Sequence, residues 1–75
     1  MNDREWTDAF AAALGVPSPD DRQVAVLLEL AGEAAHASQR TAAPVACWLA
    51  AVSGRSPEDA LALARTLTAA PDQKG

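Results

Sequence analysis

The sequence predicts an all-α domain, a small four-helix, bundle-like fold, and three observations predict it. Ser18-Pro19-Asp20-Asp21 and Ser56-Pro57-Glu58-Asp59 are helix starts of one design. A hydroxyl can cap, a Pro suits the first helical position, and the acids favour the positive end of the helix dipole. Gly15 and Gly54 stand where a helix closes on a left-handed residue, and Pro44 breaks the chain between two apolar runs. Apolar residues recur at spacings of three and four without period-two alternation, so no strand is expected.

The first helix is expected from a cap at Asp3 to about Leu14. Trp6, Phe10, Ala13 and Leu14 share one face, with Glu5 and Asp8 on the other side; Gly15 and Pro17 stop it. The second helix is expected from a cap at Ser18 to about Ser38. Val24, Leu27, Leu28, Ala31, Ala35 and Ser38 line one face, and Arg22, Glu29, Glu33, His36 and Arg40 the opposite one. Gly32 interrupts a good helix at a cost of about 1 kcal/mol against Ala. Either a neighbouring backbone comes close there or the cost is tolerated.

Arg40-Thr41-Ala42-Ala43-Pro44 breaks the helical run, because Pro disfavours helical geometry in the residue before it and removes a donor. Thr41 can cap the next helix, or Ala43 can be the last extended residue. The third helix, to about Val52, is apolar almost all round: Val45, Trp48, Leu49 and Val52 on one face, Ala46, Cys47, Ala50 and Ala51 on the others. Such a helix is central in its fold or covered by a partner. The fourth helix is expected from the Ser56 cap to about Ala70, with Ala60, Leu63, Ala64 and Leu67 inward, Leu61 and Arg65 flanking, and Pro71 as its stop. The 75 residues make one domain, ordered over about 3–70, with 71–75 as a loose tail.

Composition excludes several functions. A net charge of −4 argues against a nucleic-acid groove or an anionic membrane surface. No apolar run approaches the ~18 residues of a membrane span, and MNDREW does not read as a secretion signal. One Cys allows no internal disulfide and fits a reducing, cytoplasmic setting.

Chemistry-bearing residues are few. Glu33-x-x-His36 has the spacing of a di-metal helical bundle, but the second His and the matching carboxylates are missing, so no metal site is assigned. His36 and Arg40, one turn apart with Glu33 beside them, are a candidate ligand site for a phosphate or carboxylate. Equally, they can favour the helix dipole or fix the 41–44 turn by bonding backbone carbonyls or Glu33. Cys47 has no basic neighbour to activate it and reads as a small apolar side chain. Cys47, Trp48 and Ala51 are candidate interface residues: small ones admit a close helix, and Trp is enriched where truncation costs binding most. No Gly-rich phosphate loop and no catalytic constellation appears, and no cofactor is expected.

Leu28-x-Leu30-Ala31, Ala35-His36 and Arg40-Thr41-Ala42-Ala43-Pro44, followed by an apolar run ending in Ser53-Gly54, carry a family resemblance. With Trp6 and Leu14-Gly15 it covers most of residues 5–68. The chain resembles a small actinobacterial helical domain of unknown function, found alone or fused behind a MobA-type molybdopterin-guanine dinucleotide synthase. Gly32, in place of a polar residue, and Cys47-Trp48 depart from that family's pattern. The resemblance implies a molybdenum-cofactor context, with a MobA-type nucleotidyltransferase or a molybdoenzyme maturation factor as partner. The sequence therefore reads as a non-catalytic interaction or accessory module, with self-association as a homodimer through the third helix; the alternative is a small anionic-ligand binder using His36 and Arg40.

Overall fold

The computed structural model describes residues 1–69, and these form four helices: α1 (Asp3–Leu14), α2 (Asp21–Ala37), α3 (Ala42–Ser53) and α4 (Pro57–Ala69). The all-α class and the four elements agree with the sequence reading. The proposed end at Ala70 and the 71–75 tail lie outside the described residues.

The helix starts differ in detail. Asn2, not Asp3, caps α1: its side chain accepts from the Glu5 N–H, and Glu5 answers on the Asn2 N–H, both at 2.8 Å. At α2 the same reciprocal box is made by Asp20 and Gln23, so the cap lies two residues beyond Ser18. The α1 box uses an amide cap one residue before the expected carboxylate, and the α2 box a carboxylate cap beyond the Ser-Pro hydroxyl. Ser18 instead donates to the Asp8 carboxylate of α1. At α4 the expected cap is present, with the Asp59 N–H bonded to Ser56 Oγ at 3.1 Å. Gly15 (φ 79°) and Gly54 (φ 76°) are left-handed, as the stops require.

Pro44 lies inside the first turn of α3, where its missing N–H has no intrahelical acceptor to lose. Ala43 is therefore helical, not extended. Thr41 precedes the helix in helical geometry without a side-chain cap bond; the entry is held by backbone bonds from Ala42 N to Gln39 O and from Ala43 N to Arg40 O.

α2 is the centre of the molecule. It packs along both α3 and α4, which touch each other only slightly. The core is Val26 and Leu30 of α2 with Leu61 of α4, and Cys47, Ala50, Ala60 and Ala64 press against it. Leu30 is only 3% exposed. The third helix is thus peripheral, although it is the most apolar. Its small residues let α3 sit close to α2, and its large ones point away. In α4 the inner position belongs to Leu61 with Ala60 and Ala64, whereas Leu63 and Leu67 face outward. In α2 the buried stripe is Val26–Leu30, more than a quarter of a turn round the helix from the face carrying Val24, Leu27 and Leu28, and Leu28 is exposed.

Among the described residues, α1 packs along none of the other helices. It is strapped to the start of α2 by Arg4, whose Nη2 donates to the Pro19 carbonyl at 2.9 Å and lies 3.5 Å from Asp21. Arg4 and Thr7 line a pocket with Val24, Leu27 and Leu28. The Trp6–Phe10 face is open to solvent, with Trp6 55% exposed. The molecule is correspondingly long, 46 × 24 × 18 Å.

Candidate functional site

The most distinctive surface is the outer side of α3. Residues 42–52 carry no charge, and Val45, Trp48, Leu49 and Val52 are all exposed, Trp48 by 65%. The cause is local. Cys47 and Ala50 occupy the side that meets the core, with Ala46 half-buried, so the spacing that turns these small residues inward sends the four large ones outward. Soluble monomers seldom leave a contiguous apolar patch of this kind open, and large ones mark interaction sites. A groove of about 670 Å³ runs beside it at the α2–α3 elbow. Its walls are mostly apolar, from Ala34, Ala37, Val45 and Leu49, with Ser38 and Thr41 at the bend.

The candidate interface residues divide. Trp48 and Ala51 are exposed on α3, whereas Cys47 is half-buried against the Val26–Leu30–Leu61 core. Burial raises the Cys47 thiol pKa above its ordinary value by desolvating the thiolate, so the sulfur is protonated at neutral pH and a weak nucleophile. Val45 and Leu49 complete the surface; a sequence reading that ranks small residues as the approach face passes over them.

Glu33, His36 and Arg40 are placed differently from one another. Glu33 lies 3.8 Å from Arg65 Nε on α4, and the same guanidinium bonds Glu29 at 2.9 Å through Nη2. Glu29–Glu33 repulsion is thus relieved from α4 by Arg65. A second cross-helix pair, Arg22–Glu58 at 3.2 Å, shows that the face carrying Arg22, Glu29 and Glu33 runs beside α4. α2 ends at Ala37, between His36 and Arg40, so helical spacing does not carry across to Arg40. Both side chains are exposed, and among the described residues neither makes a hydrogen bond or ion pair within the chain. No three His, Cys, Asp or Glu residues gather among the described residues as a metal-binding group would require. None of the described helices is long and apolar enough to cross a membrane.

Arg4 is the structural residue that sequence reading missed. Its Nη1 is buried without a hydrogen-bond partner, 3.9 Å from Asp8. The Arg4–Asp8 spacing of four was a legible signal of an ion pair; the reach to Pro19 was not.

No curated protein and no solved structure matches the chain. A protein family described as "Domain of unknown function (DUF6457)" matches residues 2–74. That match spans nearly the whole of the 75 residues, and the chain belongs to this family.

Proposed function

We propose that this chain is a non-catalytic helical interaction module whose working surface is the outer face of α3. The observation that carries the reading is the uncharged 42–52 stretch with Val45, Trp48, Leu49 and Val52 all open to solvent. Large apolar side chains left outside a small core favour a partner that removes them from water. The family resemblance of the Ala35-His36 to Pro44 segment supplies the context: a cytoplasmic role beside molybdenum-cofactor biosynthesis, with a MobA-type nucleotidyltransferase or a molybdoenzyme maturation factor as partner. Self-association as a homodimer uses the same face.

Isothermal titration of a purified MobA-type enzyme with the wild-type chain and with Trp48→Ala tests this reading. Binding that weakens at least tenfold in the variant is expected, since a central interface Trp contributes about 2 kcal/mol or more. Binding that Trp48→Ala leaves unchanged contradicts it. A second reading, an anionic-ligand binder, is favoured by one observation: His36 and Arg40 are exposed basic groups without partners among the described residues. Titration with molybdopterin and guanine nucleotides tests it, and saturable binding lost in Arg40→Ala supports it.

A further inference from the structure

We infer that the partner of the α3 face is α1 of a second copy of this chain, the two copies exchanging α1 reciprocally in a closed dimer; this rests on the reading of α3 as an interaction surface. Among the described residues, two surfaces are left without partners. α3 presents Val45, Trp48, Leu49 and Val52, and α1 presents Trp6, Phe10 and Leu14, spaced by four, all exposed. Among the described residues α1 packs along no other helix and is held to the rest by the Arg4 strap and the Ser18–Asp8 bond at the start of α2.

The two helices match in length and in charge. Each has 12 residues, so each is about 18 Å long. α1 carries three acids, Asp3, Glu5 and Asp8, against the single Arg4. α3 carries no charge but is flanked by Arg40 and Arg55. Among the described residues these are the two arginines without an ion pair, since Arg4, Arg22 and Arg65 are all paired. An acidic helix with an apolar stripe is what that uncharged strip between two free cations fits. Laid antiparallel, the α1 acids come to Arg55, and the α1 C-terminus, which has no basic residue in its last turn, comes to Arg40. Reciprocal exchange makes the contact twice about a twofold axis, which closes the assembly.

Sedimentation equilibrium across a dilution series tests this with two variants on exposed positions outside the core: Trp6→Glu with Phe10→Glu in one chain, and Leu49→Glu in another. Wild type is expected to show a mass of two chains at high micromolar concentration. Each variant alone is expected to stay a single chain, and their equimolar mixture to regain a two-chain species, because one intact α1 still meets one intact α3. Circular dichroism confirms that each variant keeps its helix. Arg55→Glu, which reverses an exposed unpaired charge, serves where Leu49→Glu loses helix; it is expected to weaken the dimer at least tenfold. A dimer that persists in the α1 variant overturns the exchange while leaving α3 as the interface. A wild-type chain that stays single at every concentration also overturns it, and leaves the binding of another protein at α3 to be judged by the Trp48→Ala titration.

Discussion

Gly32 and Cys47 show how a single side chain decides a local energy. An added Cβ at Gly32 meets nothing within 4 Å, so no backbone approaches there and the helix tolerates the glycine. Gly32→Ala is therefore expected to stabilise the fold by about 1 kcal/mol, from helix propensity alone, and to raise the thermal midpoint. A lowered midpoint would mean that something outside the chain approaches position 32. Cys47 gives a pH dependence. Its folded pKa lies above the unfolded one, so the fold holds the thiol proton more tightly. That contribution is complete below the unfolded thiol range and is lost as pH rises from about 8.5 through the raised folded value. Stability measured by urea titration should fall over that alkaline window in the wild type and fall less in Cys47→Ala; parallel profiles would exclude Cys47 as the cause. Both residues were marked as unusual in the sequence, but whether Gly32 faced a neighbour and which side of α3 Cys47 occupied depended on where α2 lay, which spacing alone does not give.

Starts and stops of the elements were the most legible part of the chain. Gly15 and Gly54 require left-handed backbone that few other residues adopt cheaply, and Ser56-Pro57 is a local device that needs no tertiary contact. The caps at Asn2 and Asp20 were missed because several capping residues stood in a row, and only the reciprocal bonds to Glu5 and Gln23 select among them. Which face of each helix points inward was less legible. α2, α3 and α4 each hold more apolar residues than the core can take, so periodicity left two or three candidate stripes. Packing chose the one that brings Val26, Leu30 and Leu61 together against Ala and Cys. Leu30 is the best-buried of these. Leu30→Ala is expected to cost about 2–5 kcal/mol, comparable with the whole stability of a domain this small, and to abolish the cooperative thermal transition. A cooperative melt in that variant would show that the Val26–Leu30–Leu61 cluster is not the core.

The molecule as a whole holds a three-helix core around α2 with α1 extended from one end, and most of its large apolar side chains remain outside. A bundle of four helices was readable from the sequence; the detachment of α1 was not, because its Trp6–Phe10–Leu14 stripe has the pattern of a helix that docks within its own chain. The candidate site was legible to the same degree. An apolar third helix announced either a centre or an interface, and the choice between them was made by α2, which took the centre. Glu33 could not be placed from spacing, since its partner Arg65 is supplied by α4, thirty-two positions along. The central claim, that the α3 face is open in the single chain and closed by association, is tested most directly by acrylamide quenching of Trp48 fluorescence in a Trp6→Phe chain over a dilution series. The account predicts ready quenching at the lowest concentrations and marked protection as the concentration rises or a partner protein is added. Protection of Trp48 that is the same at every concentration and with every partner would contradict it.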